Sequence, residues 1–280
     1  MTGPTIGSQE ILADESCRSI IEQEEDIFER TYKYAHLSIT YTNEQEVFQR
    51  FLSDSVQAVM TTRPLTSEEE NYLIENGVTP RAYTYATSAI AFVKNNKAKD
   101  TTYVYEELLQ LFSQGGSDVI FVLENARSGI AFALMELMNA DKLPAHFYAL
   151  NTKEEVLAYI QEHAQAIGII DYGDISDSDS ALTKDVLEKV RLLAISRPAD
   201  STQVGFVQPF QYNLQDRKYP FTRDLYFISK SGKSDVGIGF ASFICGEIGQ
   251  KIVLKSGLLP KFQSERIIEI TPTDDIKVVK

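Results

Sequence analysis

The sequence predicts an α/β fold built on open, largely parallel sheets. Two observations carry this expectation. Short β-branched runs alternate with capped, amphipathic segments through the first two thirds of the chain, and the last third breaks that alternation in a way that leads back toward the beginning. A third observation concerns the joints: no internal repeat and no Pro-, Gly- or Ser-rich linker divides the chain, so any lobes are joined by structured crossovers. With 280 residues the chain exceeds one ordinary domain of roughly 100–200, and two lobes or one large unit are expected.

Taken in order, a short strand is expected around Glu10–Ala13, then a helix from Ser16 to Arg30 with Cys17, Ile20, Ile21, Ile27 and Phe28 on one face. Leu37–Tyr41 alternates as a strand. Asn43, with Glu46 three residues on, opens a helix that carries Val47, Phe48, Phe51 and Leu52. Val56–Met60 is the next strand, and Thr66 with Glu69 forms a capping box for a helix that stops near Gly77. Two β-rich runs follow, Ala82–Ala86 and Ala89–Val93, and Thr102 is expected to cap a helix through Phe112. Val119–Leu123 reads as a buried strand and Ser128–Met138 as an apolar helix. His146–Leu150 is a strand, Thr152 with Glu155 caps a helix to His163, and Ala166–Ile170 is a strand leading into an acidic loop, Asp171 to Asp185, read as solvated. The last third holds Phe206–Leu214, Arg223–Ser229, one long helix over Val236–Leu254 and a terminal strand at Arg266–Ile270. Its return implies two extended crossovers, near Ala89–Val93 and Tyr219–Ile228.

Composition narrows the chemistry. Twenty-seven Lys and Arg against 40 Asp and Glu leave a net charge of −13, which repels phosphate backbones and anionic lipid, so nucleic acid is not an expected partner. No apolar stretch approaches the roughly 18–20 residues of a membrane span, and the opening MTGPTIGSQE has neither the basic nor the apolar region of a signal peptide. His36, His146 and His163 stand far apart without HExxH or CxxC, and a calcium loop begun at Asp177 would lack the Gly needed at its sixth position. No metal or cofactor is therefore expected. No G-x-S-x-G elbow, P-loop or G-x-G-x-x-G is present, no catalytic residue is nominated, and an enzyme is not expected. Cys17 and Cys245 are separated enough for a disulfide, but their apolar surroundings favour two buried thiols.

Three strand-to-helix junctions remain: Asp14-Glu15-Ser16, Thr61-Thr62-Arg63 and Arg127-Ser128-Gly129. Such junctions aim unpaired backbone N–H groups and the positive end of a helix at one spot, which suits an oxyanion, and Arg63 and Arg127 can add charge-assisted bonds. Each junction alone also reads as a plain helix cap with a solvated arginine.

Beyond these junctions, the segments ADESCRSIIEQEEDIFE (13–29), TTRPLTSEE (61–69), AIGIIDYGDISDSDS (166–180), QPFQYNLQDRKYPFTRDLYFIS (208–229) and GIGFASFICGEIGQKIVLKSGLLP (237–260) resemble the phosphate-binding substrate receptors of ABC transporters, the PstS-like lipoproteins of Bacteroidetes in particular. The resemblance implies a two-lobe type II periplasmic binding protein fold, each lobe an open mixed sheet flanked by helices. Lobe 1 would comprise 1–88 plus 222–280, and lobe 2 would comprise 89–221. It implies an extracytoplasmic receptor in the periplasm or cell envelope, anchored by a lipid upstream of the given chain, monomeric, and delivering phosphate or a similar small oxyanion to a membrane transporter or sensor. Carried over by position, the anion would meet Ser16, Thr62, Arg63, Ser128 and Gly129. Glu15 is the one nearby carboxylate nominated to accept a phosphate proton, and Ile130 stands where the family places a threonine. A pocket of donors alone would admit sulfate as a competitor, with Arg63 the main cationic contact. The alternative is a binding-protein fold with a degenerate pocket, acting as an interaction or signalling module of the cell envelope.

Overall fold

The computed structural model describes residues 3–116, 118–198 and 205–262. The chain opens with β1 (Ile6–Asp14), α1 (Arg18–Thr31), β2 (Tyr34–Thr42), α2 (Glu44–Leu52), β3 (Ala58–Thr61) and α3 (Ser67–Glu75). Strand β1 lies between β2 and β3 and runs parallel to both. Its residues alternate between two cores: Ile11 and Ala13 join the main cluster while Leu12 joins a smaller one with Val47, Phe48, Phe51 and Ile228. Both faces are covered, as a parallel sheet requires.

The pivot is β4 (Arg81–Asn95), 15 residues long and buried from Tyr85 through Lys94. It is followed by β5 (Thr102–Tyr103), α4 (Tyr105–Gln114), β6 (Ile120–Glu124), α5 (Gly129–Met138), β7 (Phe147–Leu150), α6 (Lys153–Glu162), β8 (Ala166–Asp171), α7 (Ala181–Lys189), β9 (Val190–Leu192) and β10 (Ala194–Ile195). The chain then returns through α8 (Gln211–Gln215) and β11 (Thr222–Ser229) to α9 (Val236–Ile244), α10 (Glu247–Lys255) and β12 (Leu259–Pro260). Up to Ala89, β4 pairs with β11; from Ile90 onward it pairs with β8. The strand order is β2-β1-β3-β11-β4-β8-β6-β7, with β6 parallel to both β7 and β8.

Several expectations are corrected. The runs Ala82–Ala86 and Ala89–Val93 are one strand, and because that strand belongs to both ladders the hydrogen bonding is continuous from one lobe to the other rather than interrupted at a crossover. The returning chain meets it at the switch point, where Ile90 N donates to Phe221 O at 2.8 Å and Tyr219 Oη donates to Ile90 O at 2.8 Å. The expected long helix is two, bent by 56°. Gly246, extended at φ −84° and ψ 176°, breaks it, and Gly249 packs so closely on Ile244 that a Cβ would lie 2.5 Å from its Cα. Thr102 lies in β5 instead of capping α4, whose N-cap is Val104. Ser16 does not open α1; it sits in a 3₁₀ turn, Glu15–Cys17, capped by Asp14. Cys17 and Cys245 are free thiols as expected, but only Cys17 is buried and Cys245 is half-buried. The segment Arg266–Ile270 lies outside the described residues.

Candidate functional site at the lobe junction

Five chain segments converge where β4 changes partners, and the carboxyl ends of strands supply most of them. Asp14 ends β1, Thr62 follows β3, Asp171 ends β8, Ser128 and Gly129 open α5 after β6, and Arg223 enters from β11. Ligand sites of open α/β sheets form at such strand ends, where helix N-termini begin.

Arg223 is the centre. It is 6% exposed, and its guanidinium donates to Thr62 Oγ1 and Ser16 Oγ at 3.3 Å each and to Asp171 Oδ2. Its Nε is buried with no partner among the described residues. Burial opposes its charge, but the carboxylates of Asp171 and Asp14 more than offset that and hold the guanidinium protonated. Asp171 in turn accepts from Ser88 Oγ at 2.8 Å and from Gly173 N at 2.7 Å. Far from lying in a solvated loop, Asp171 is buried and ties β8 to β4.

Two further carboxyls face the same point. Asp14, fully buried, accepts from Ser16 N at 3.0 Å, from Ser16 Oγ, and from Gly129 N at 3.4 Å. Glu44, the first residue of α2, accepts from Thr62 N at 2.8 Å and Thr62 Oγ1 at 2.9 Å. Burial raises the pKa of both; Asp14 and burial together push Glu44 up to about 7. Three carboxyls against one guanidinium would leave two uncompensated charges, and proton uptake relieves that excess. Gly129 is required by contact: a Cβ there would stand 2.2 Å from Thr62 Oγ1 and 3.1 Å from the Glu44 carboxyl carbon. Among the described residues no group of three or more His, Cys, Asp or Glu could hold a metal ion.

Of the residues nominated from sequence, Ser16, Thr62, Ser128 and Gly129 meet in this cluster. Ser128 caps α5, accepting from Ala131 N at 3.3 Å. The other three point elsewhere. Glu15 is engaged by Arg18 at 2.6 and 2.9 Å. Arg63 makes a two-pronged pair with Glu69 at 2.7 and 2.8 Å and lies 3.6 Å over the Phe48 ring. Arg127 is exposed, while its backbone oxygen accepts from Gln45 N at 3.4 Å. Ile130 is buried in the main core. Asp14, Glu44, Ser88, Asp171 and Arg223 were not nominated. A signal existed for one of them: Asp171 closes an otherwise apolar strand.

The comparisons agree with this architecture. Residues 2–247 match the family model of the PBP superfamily domain. No curated protein matches the sequence. Among solved structures, a Clostridium perfringens protein described as a phosphate ABC transporter substrate-binding protein, with bound phosphate, superposes with a TM-score of 0.73 at 17% identity, covering 91% of this chain and 99% of that one. An ABC-type phosphate transport receptor from Vibrio cholerae gives 0.69 at 15% identity, over 91% and 100%. The regulatory domain of CcmR from Synechocystis, in complex with 2-PG, gives 0.56 at 12% identity, over 83% and 92%. At these identities the likeness is one of fold, and the same fold serves transport receptors and regulators alike. With the family model spanning most of its length, the chain belongs to the PBP superfamily and has the two-lobe type II periplasmic binding protein fold.

Proposed function

We propose that the chain is a solute receptor that closes its two lobes, 1–88 plus 222–280 and 89–221, around a small oxyanion carrying a proton of its own, of which phosphate is the prime example. The observation that carries this reading is Arg223: a buried guanidinium between the lobes, flanked by hydroxyls of Ser16 and Thr62 and with one N–H unspent. A tetrahedral anion offers it what Asp171 alone does not, namely further acceptor oxygens, two for the guanidinium and others for the neighbouring hydroxyls and N–H groups. The N-terminus of α5 supplies a second, dipolar source of positive potential. The phosphate bound in the Clostridium perfringens neighbour supports the same choice.

Carboxyls in the site change the expected selectivity. Glu44 can accept the proton of hydrogen phosphate, whereas sulfate brings none at neutral pH, so phosphate is favoured and the competition expected from a donor-only pocket is weakened. Closure around the ion is the signal read by a membrane transporter or sensor outside the cytoplasm. Calorimetric titration with phosphate and then sulfate, after partial unfolding to strip retained ligand, tests the reading. Phosphate binding with sulfate only a weak competitor is expected. Binding of neither anion refutes it and favours the second reading, an envelope interaction module, to which the direct contact of Gly129 with Thr62 lends support.

A further inference from the structure

Behind the junction, the two strands that hold Arg223 also form the floor of a groove. Successive residues of a strand point to opposite faces, so where Arg223 and its cross-strand partner Ser88 face the cluster, Asp224 and Thr87 face away from it. There Thr87 Oγ1 donates to Asp224 Oδ1 at 2.6 Å, beside a groove of about 910 Å³. That volume is many times that of one phosphate ion and lies within the roughly 300–1,000 Å³ of ligand sites. Its charge runs against the rest of the molecule. The chain carries a net −13, yet among the described residues Arg197, Arg217, Lys218 and Lys261 line the groove against the single carboxylate of Asp224. Lys261 is taken up by Asp224 at 2.8 Å and Lys218 by Asp216 at 2.6 Å. Arg197 gives one N–H to Arg217 O at 2.9 Å, and neither guanidinium meets a carboxylate among the described residues. Arg217 is exposed and stands in the left-handed region, φ 54°, just past the end of α8, where glycine or asparagine is the less strained choice.

We propose that this groove is a docking site for an acidic, extended segment of a partner protein. Two guanidiniums without a carboxylate of their own suit the carboxylates of such a segment, which they bind two-pronged, and Tyr105 and Leu259 give apolar surface in the same groove. The site is open to solvent rather than enclosed, as passage of a chain requires. A purely structural role leaves Arg217 unexplained, since glycine would end α8 with less strain and arginine adds only the cation. The walls come from both lobes: Arg197, Arg217 and Lys218 from 89–221, and Thr87, Asp224 and Lys261 from 1–88 plus 222–280. Rotation that narrows the cleft in front therefore widens the groove behind, and a segment held there senses whether the cleft is occupied. That coupling rests on the function proposed above; the docking site does not.

Fluorescence anisotropy on the full chain, with labelled octaglutamate as the probe and octaglutamine as its uncharged control, tests the site. Octaglutamate alone is expected to bind, and to bind more weakly as salt rises from about 50 to about 300 mM. Arg217→Gly removes the guanidinium while easing the backbone, so it is expected to bind the peptide about five- to tenfold more weakly with a melting temperature no lower than the parent's. Lys33→Gln, which removes an exposed cation between α1 and β2, is expected to change binding by less than about twofold. Failure of octaglutamate to bind, unchanged binding by Arg217→Gly, or an equal loss in both variants overturns the proposal. So does capture by phosphatidylglycerol vesicles without peptide binding, which would assign the basic surface to a membrane. Saturating phosphate is expected to shift the peptide's dissociation constant by at least about threefold. An unchanged constant with phosphate bound overturns the coupling, whereas peptide binding by a protein that takes up no phosphate sustains the docking site and refutes phosphate as the ligand of the cleft.

Discussion

In the junction, Asp14, Glu44 and Asp171 are buried beside Arg223, and each accepts at least two hydrogen bonds. Glu24, just as buried on α1, meets no hydrogen-bonding group among the described residues, and neither do the nearby hydroxyls of Tyr41 and Tyr85. Burial alone pushes Glu24 up to about 9, so it is a neutral acid at physiological pH. The difference separates two uses of a buried carboxyl. In the junction the acids are set among donors from other segments, so their charge state governs how those segments meet. Under α1 the acid is isolated, and its proton matters only to stability.

The largest expected effect comes from breaking the paired region. Arg223→Ala leaves Asp171 and Asp14 without their buried counter-charge and should cost about 3–5 kcal/mol of unfolding free energy, with loss of anion binding. Urea denaturation reads the first and calorimetry the second. An unchanged midpoint would mean that the junction does not depend on the pair. The isolated region should respond in the opposite direction. Glu24 holds its proton more tightly folded than unfolded, so its contribution is intact below its ordinary pKa of 4.5 and is lost as pH rises toward about 9. Across that window it should lower stability by up to about 1.4 kcal/mol per pH unit. Glu24→Met should abolish this slope and stabilise the protein at pH 7 by roughly 1–3 kcal/mol, as expected when an unpartnered polar group leaves a core. Denaturation midpoints at pH 5, 7 and 8.5 give both numbers, and a variant that keeps the parent's slope would assign the titration to another group.

The same contrast explains what was legible in the sequence. The core is written as periodicity, so Ile20, Ile21, Phe28, Val47, Phe51 and the strands β1, β2, β3, β6, β7 and β8 could be located from pattern alone, and caps such as Thr66 and Thr152 were readable as local motifs. The bend at Gly246 and the length of β4 were not, because both depend on packing between distant segments. Site residues divided along the same line. Ser16, Thr62, Ser128 and Gly129 announce themselves by standing at strand-to-helix junctions. Asp171 and Arg223 are 52 residues apart and meet only through the pairing of β4 with both β8 and β11. Arg63 misled because an arginine beside a junction is drawn to whichever carboxylate is nearest, and the capping-box Glu69 was six residues away.

A smaller effect sharpens the role of charge in the junction. Glu44→Gln keeps an acceptor for Thr62 N–H but carries no charge at any pH. Sulfate does not titrate near neutrality, so its residual affinity for the parent should fall, by up to about tenfold, as pH rises through 7 and Glu44 ionises. In the variant that dependence should vanish, and the preference for phosphate over sulfate should shrink by a comparable factor. Calorimetry at pH 6 and 8 decides; a variant with the parent's pH dependence would move the titration from Glu44 to Asp14.

The smallest effect is expected at Arg63. Its guanidinium is 31% exposed, paired with a Glu69 that is 18% exposed, and stacked on Phe48, whose own burial closes the small core beneath α2. The pairing holds Glu69 below the ordinary carboxylate range even though burial pushes the other way. Glu69 also accepts from Thr66 N at 2.8 Å as half of the capping box, so Arg63 steadies the first turn of α3 through it. Arg63→Ala should therefore lower unfolding free energy by about 1 kcal/mol, the combined worth of a part-exposed ion pair and a cation–aromatic contact. Anion affinity should change by less than about twofold, because Arg63 spends its donors on Glu69 and Pro64 O. That pattern, stability lost and binding kept, is the reverse of what a cationic ligand contact would produce. A large rise in the phosphate dissociation constant at an unchanged melting temperature would bring Arg63 into the site, and would mean that the ion pair with Glu69 opens when the ligand arrives.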